Sequence, residues 1–348
     1  MFDNNIQDIE TKGTKIKIVG VGGAGANVLN DLINHGIKDV TYFAINTDEQ
    51  DLRKSKADEK MALGHLGAGA NPEVAKVAAE GKKREIEDSI KGQDMIFITA
   101  GMGGGTGTGA APVVAQVAKE LDIVTVAIVT RPFSFEGIKR KNNANYGIEE
   151  LKKYVDTLIV IPNNKLLELS KENKSFPEHL KNSNEIIRFG IKGISELITK
   201  QGYINLDFAD VEAIVKGSGI ALFGFGESEA GEPVESLVER TISNPLLERD
   251  IKGATKILVN VTGGDTLTME GVQKILEMIS ERASGSKDGV ENLILGSIYE
   301  SDRENVVLSV IATGFEENAE NLEGLSSDLY GGKIFEEEKK DFDIVPKF

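Results

Sequence analysis

The chain of 348 residues has no cysteine, which excludes disulfides, thiolate metal sites and a cysteine nucleophile. The absence fits a reducing compartment. Its three histidines, His35, His65 and His179, show no metal-ligand spacing and read as solvated or helix-end residues. No Ser–His–Asp order stands near a strained turn, so triad hydrolysis has no support either. No apolar run approaches the about 18 residues of a spanning helix, and direct membrane insertion is not expected. The first ten residues, MFDNNIQDIE, are acidic and lack the apolar core of a signal peptide. Basic residues are also in deficit, 40 Lys and Arg against 56 Asp and Glu, for a net charge of −16. An acidic surface argues against nucleic acid and against anionic lipid as partners. A polyanionic ligand would need a local device: backbone N–H groups, a metal ion or one arginine.

What is abundant is glycine, 38 residues concentrated in loops. The length suggests two packed domains. After a polar arm at 1–14, short apolar runs at 15–23, 40–48, 94–100, 123–130 and 156–162 alternate with helical patterns. Strands apolar on both faces, separated by helices, indicate a Rossmann-like α/β domain with a parallel sheet over 15–177. A Gly/Ala-rich loop at 64–72 interrupts the alternation, and the helix after it carries Val74, Val77, Ala78, Ile86 and Ile90. The segment 178–202 reads as a long central helix with Ile186, Ile187, Ile191, Ile194, Leu197 and Ile198 on one stripe and Gly202 as its C-cap. Strands at 219–228, 256–264, 292–299 and 305–315, with helices at 232–243 and after 264, suggest a second, smaller α/β domain over 203–315. The last two strands have no helix between them and are expected to pair antiparallel, giving a mixed sheet. From Glu316 to Lys340 the chain is polar and acidic, a disordered linker by composition. Residues 341–348, DFDIVPKF, regain apolar character.

Three motifs carry chemistry. Gly20-Val-Gly22-Gly23-Ala-Gly25 lies between a strand and a helix, where glycines let backbone N–H groups approach a phosphate. With Asp48 closing the next strand, the same loop also reads as a dinucleotide site, so an NAD-dependent oxidoreductase is one alternative. Gly103-Gly-Gly-Thr106-Gly-Thr-Gly109 is a second such loop, a flexible nest of donors suited to an anion. Two glycine loops on one sheet suggest a triphosphate gripped from both sides. No G-x-x-x-x-G-K-[ST] is present, so the chain is not a P-loop protein. The third motif, Asn205-Leu-Asp207-Phe-Ala-Asp210, spaces two carboxylates to face one way. They can polarise a water for attack on a γ-phosphate, or simply cap a helix beginning near Val211.

In this order, with RPFSFEG between them, these motifs closely resemble the tubulin/FtsZ family of GTPases over about residues 15–315, and GGGTGTG is its most specific signature. The resemblance implies a self-assembling cytoplasmic GTPase that polymerises head to tail into the cytokinetic ring at midcell in bacterial cell division. It implies GTP or GDP bound with Mg²⁺ on the 15–177 domain, and a 203–315 domain that activates hydrolysis; no resident metal site is implied. Nucleotide contacts would come from Gly22, Gly23, Ala24, Gly25, Ala26 and Asn27, and from Gly103, Gly104, Gly105, Thr106 and Gly107. Glu136 and Arg140 would touch the ribose and phosphates, and Asn163 and Asn184 the base. Asn205, Asp207 and Asp210 would act on the neighbouring subunit's nucleotide. Four positions depart from the family pattern: Ala24 and Ala26 stand for Gly and Asn, Leu180 for an aromatic, and Asn184 for an aspartate that accepts both guanine N–H donors. Weaker guanine discrimination follows, with Glu185 as a compensating acid. DFDIVPKF resembles the peptide that docks on membrane adaptors such as FtsA, with an extra valine before proline and no basic end. A non-hydrolysing structural paralogue is the other alternative.

Overall fold

Ile16 and Ile18 turn to one side of the first strand, β1 (Ile16–Val21), and Val19 and Val21 to the other; all four are buried. A strand apolar on both faces needs a layer on each side, and helices supply both. The chain continues through α1 (Gly22–Asn34), β2 (Val40–Asn46), α2 (Glu49–Lys54), β3 (Glu59–Ala62), α3 (Pro72–Gly81), α4 (Lys83–Ile90), β4 (Met95–Gly101), α5 (Thr106–Glu120) and β5 (Val124–Arg131). A 3-10 turn (Ser134–Glu136), α6 (Ile138–Lys152), β6 (Thr157–Pro162), α7 (Asn163–Leu169) and α8 (Phe176–Thr199) follow. Then come α9 (Phe208–Val215), β7 (Gly219–Glu227), α10 (Val234–Ile242), β8 (Lys256–Gly263), α11 (Met269–Ser284), β9 (Asn292–Tyr299) and β10 (Val307–Thr313). This computed structural model describes residues 13–169, 176–200, 202–204, 206–229, 231–244, 247, 249–286 and 289–315, without the side chains of 167–169 and 176–182. The expectations for the arm before residue 13, the linker 316–340, the peptide 341–348, Asn205, and the side chains of His179 and Leu180 lie outside the described residues.

Six strands run parallel in the order β3-β2-β1-β4-β5-β6, the doubly wound order of dinucleotide-binding folds. Such a sheet offers its ligand crevice at the carboxyl ends of the strands, where the order reverses between β1 and β4. β7 extends the sheet through a parallel pairing with β6 over three residues, Thr157–Ile159 against Gly219–Ala221. Beyond it the sheet is mixed. β10 runs antiparallel to both β7 and β8, and β8 parallel to β9.

The expected pairing of the last two strands does not occur, because β8 lies between them. β10 buries Leu308, Val310 and Ala312 on one side and Ile311 on the other and so takes a central place. β9, half exposed over Leu293–Leu295, takes the edge. The helix expected after the 64–72 loop is two helices broken at Lys82. Its buried face is Ala75, Ala79, Ile86 and Ile90, whereas Val74 and Val77 are exposed. The reason is proximity: α3 lies so close to α5 that Gly109 sits against the Pro72 carbonyl, and only alanines fit along that seam. α8 keeps its predicted stripe but ends at Thr199, before Gly202, which backs onto the Ser297 carbonyl.

One polar contact under the sheet was not legible beforehand. Lys17 of β1 has a buried side chain whose Nζ donates to Glu59 Oε1 at 2.7 Å and to the Ser89 carbonyl at 2.5 Å. Removing the acid strands a buried ammonium, while removing the lysine leaves a carboxylate that is 44% exposed. Glu59→Leu is therefore expected to cost about 3 kcal/mol in urea denaturation, near the low end for breaking a buried pair. Lys17→Met, which keeps the apolar stem, is expected to cost about 1 kcal/mol. The reverse order would show that Glu59 does not hold the lysine.

Candidate functional site

The two glycine loops meet at the point where the strand order reverses. Val21 ends β1 beside Ala100 of β4; β1 runs directly into α1, and β4 reaches α5 through the turn at 102–105. The first amides of a helix have no intrahelical acceptor. At α1 the preceding residue is Val21 and at α5 it is Gly105, and neither offers a side-chain cap. The free amides of Gly22, Gly23 and Ala24 thus stand beside those of Thr106, Gly107 and Thr108. A Cβ on Gly22 (φ +76°) would lie 3.1 Å from Gly107 N, so the two helix starts are in contact. Together with the helix dipoles they form a cradle for negative charge.

Side chains hold the cradle in shape. Thr47 and Thr106 share a hydroxyl hydrogen bond of 2.6 Å. Thr108 Oγ1 accepts from Gly103 N at 2.9 Å, folding the loop back on its helix. Asn143 of α6 donates to the carbonyls of Gly103 and Ala70. The 64–72 loop closes one side: a Cβ on Gly105 would meet Ala68 Cβ at 2.7 Å and Asn71 N at 3.1 Å. Thr47 and Asn143 were not singled out from sequence, and the 64–72 loop was read as an interruption of the alternation and not as part of the site; its recurring glycines at 64, 67 and 69 were the available signal. Gly104 has open space around it. Asp48, the acid that a dinucleotide reading needs for the ribose, instead caps α2 by accepting from Gln50 N and Asp51 N.

Glu136 and Arg140 are one turn apart and paired with each other, and Glu136 Oε1 also accepts from Phe133 N at 2.9 Å. The Arg140 side chain is half exposed, so its charge remains available at the rim. Asn163 begins α7 at the end of β6, is buried, and accepts from Ser183 of α8 at 3.0 Å. One turn further along α8, Arg188 donates to Asp31 of α1 at 3.1 Å and to Glu185 at 3.2 Å. Glu185 is therefore engaged by Arg188. Asn27 on α1 is exposed and Asn184 on α8 half-buried.

Asp207 and Asp210 lie elsewhere. Asp207 Oδ1 accepts from Asp210 N at 2.9 Å and Asp210 Oδ2 from Asp207 N at 3.1 Å, a reciprocal cap that starts α9 at Phe208, three residues earlier than expected. The capping role read from sequence is thus real, and it leaves one oxygen of each carboxylate outside the cap. α9 ends against the amino ends of the parallel strands: Thr157, first in β6, donates to the Val215 carbonyl, and Lys216 pairs with Asp122 just before β5. The acids and the glycine cradle stand at opposite ends of the parallel strands. Among the described residues no cluster of three metal-binding side chains occurs, and no helix is long and apolar enough to cross a membrane.

Residues 15–171 match the GTPase domain of the tubulin/FtsZ family, and residues 219–316 the C-terminal domain of the FtsZ family. An empty FtsZ dimer from M. jannaschii is 41% identical over 88% of this chain and 89% of that one, with a TM-score of 0.82. The chain belongs to the tubulin/FtsZ family. Membership brings a GTPase domain and guanine-nucleotide binding in general. The fold is shared more widely: CetZ2 from Haloferax volcanii, described as a GTPγS-bound protofilament, is 21% identical over 90% of this chain and 97% of that one, with a TM-score of 0.76. CetZ1 from the same organism, a GDP-bound monomer, is 22% identical over 90% and 98%, with a TM-score of 0.75.

Proposed function

We propose that the chain polymerises head to tail into filaments, hydrolyses GTP at the contact between subunits, and builds the cytokinetic ring of bacterial cell division. The observation that carries this reading is the separation of the half-sites: the uncapped amides of α1 and α5 at the carboxyl ends of the strands, the acids of α9 at the other end. A subunit cannot bring its own acids to its own cradle. In a head-to-tail row, each pair arrives at the neighbour's. A contact between two different surfaces is heterologous and generates an open filament when its rotation does not close.

In this reading 15–177 is the GTP-binding domain, 178–202 the connecting helix, and 203–315 the domain that completes the site. The glycine amides hold the phosphates, Arg140 adds a cation at the rim, and Asp207, Asp210 and Asn205 orient and polarise the attacking water. Mg²⁺ bound with the nucleotide would offset phosphate charge in a cradle that has no lysine of its own. The segment 316–340 serves as a linker, and 341–348 docks on a membrane adaptor such as FtsA, holding cytoplasmic filaments at midcell.

Light scattering with GTP and Mg²⁺, with phosphate release followed in parallel, tests the reading. Scattering should rise and then fall as phosphate appears. Scattering without phosphate would make the chain a non-hydrolysing paralogue, and neither signal would end the filament reading. A chain lacking 341–348 should assemble as before and lose adaptor binding; unchanged adaptor affinity would remove the role of the peptide.

A further inference from the structure

We propose that Asn143 is a strap that holds the 64–72 loop as a wall of the phosphate cradle against a strained backbone, and that its release is the gate through which nucleotide leaves. The inference rests on the GTPase reading and concerns the regulation of that same site. Asn143 acts in it as a positioning residue.

The loop turns through three left-handed residues, Gly67 (φ +84°), Gly69 (φ +57°) and Ala70 (φ +57°). Glycine takes that conformation without steric cost, and alanine does not. Ala70 is exposed, so burial of its methyl group does not offset the strain. Its backbone is held instead: the Ala70 carbonyl accepts from Asn143 Nδ2 at 3.2 Å. Among the described residues this is the single hydrogen bond that reaches 68–70 from outside the loop. The first half of the loop is fastened differently. Leu63 N donates to the Asn46 carbonyl at 2.7 Å and Gly67 N to the Thr47 carbonyl at 3.0 Å, both at the end of β2. The loop is thus fixed up to Gly67, free to turn at its glycines, and strapped at Ala70.

An amide NH₂ has two donors, and both are engaged: the Gly103 carbonyl accepts from the same Nδ2 at 3.3 Å. Asn143 stands one turn beyond Arg140 on α6, and the Arg140 carbonyl backs onto Gly103, where an added Cβ would lie 2.8 Å from it. The start of α6, the GGGTGTG loop and the 64–72 loop therefore meet at one side chain. The bond to Ala70 lies at the surface. Water competes there, and one such hydrogen bond shifts an equilibrium by about 10-fold. A left-handed alanine opposes closure by about the same factor. Two nearly balanced terms make a latch that opens and recloses. With it open, Ala68 no longer backs Gly105, and the cradle loses one wall.

The test is the dissociation rate of a fluorescent GDP analogue, loaded with Mg²⁺ on the full chain below its assembly concentration and chased with excess GDP. Asn143→Leu removes both donors at similar volume and should speed release about 10-fold. Asn143→Asp keeps the shape, lacks the donors, and should do the same. Neither should lower the melting temperature of the nucleotide-free chain by more than about 3 °C, since the strap holds a surface loop and not the core. Ala70→Gly relieves the left-handed strain and should slow release at least about threefold. Combined with Asn143→Leu, it should bring the rate back to within about threefold of the parent. Release that quickens less than about threefold in both Asn143 variants overturns the strap. So does a larger fall in melting temperature, which would make Asn143 a general packing residue, or an Ala70→Gly change that restores nothing to Asn143→Leu. An analogue that does not bind the parent chain sinks the GTPase reading and takes the strap with it; one that binds and leaves every variant at the parent's rate sinks the strap alone.

Discussion

Asp210→Ala alone should turn over GTP at least about 100-fold more slowly than the parent chain, the usual scale for removing a group that handles the proton of the attacking water. Gly104→Asp alone should not turn over at all, because it sets a carboxylate in the open space of the phosphate cradle. Mixed in equal amounts, the two inactive chains should recover activity. An Asp210→Ala subunit has an intact cradle, and a Gly104→Asp neighbour delivers intact acids. If subunits mix at random along a heterologous contact, about a quarter of the interfaces are productive, which sets the ceiling of recovery. A site assembled within one subunit predicts no recovery, and that result would sink the split active centre.

The companion variants separate capping from chemistry. Asp207 Oδ1 and Asp210 Oδ2 already accept each other's backbone N–H. Asparagine caps a helix about as well as aspartate, so Asp207→Asn should leave thermal stability unchanged and still lower turnover through the lost charge. Asp207→Ala should lose turnover and also about 1 kcal/mol of stability. Equal stability of Asn and Ala variants would mean that the reciprocal cap holds nothing.

Much of this was legible in the sequence because the requirements are local. A buried parallel strand reads as an apolar run, and a phosphate cradle reads as glycines between such a run and a helix. The 24-residue helix α8 showed itself by its stripe of isoleucines. The features that were missed depend on what a residue meets far along the chain. Nothing local to 292–315 says that β8, some 40 residues earlier, separates β9 from β10. Val74 and Val77 have the hydrophobicity of a buried face, but the closeness of α5 selects Ala75 and Ala79 instead. The bond between Arg188 and Asp31 spans 157 positions, so nothing local to either residue announces it. The acids of 207 and 210 lay between the two cases: their spacing was plain, while the end of the sheet they occupy was not.

The glycines of GGGTGTG fall into two physical classes, and the contrast can be measured. Gly109 faces the backbone of α3: a Cβ there would overlap the Pro72 carbonyl oxygen and lie 2.9 Å from Lys76 N. Backbone atoms of a packed helix cannot swing aside as a side chain does, so α3 must lift from α5 along a seam lined by alanines. Gly109→Ala should therefore cost about 3 kcal/mol, the upper part of the range for overpacking. At roughly 1–2 °C per kcal/mol for a chain of this length, the melting temperature should fall about 3–6 °C. Gly107 belongs with it, since a Cβ would come within 2.6 Å of the Gly101 carbonyl oxygen. Gly104 is different. No atom lies within 4 Å of its would-be Cβ, and its φ is not in the left-handed region. Gly104→Ala should leave the melting temperature of the nucleotide-free chain unchanged and weaken GTP at least about 10-fold, or 1.4 kcal/mol, by filling space the phosphates need. A comparable loss of stability at 104 and 109 would mean that the loop is rich in glycine for packing alone. A melting temperature unchanged at 104 together with weakened GTP binding requires that the open space above it is where the triphosphate lies.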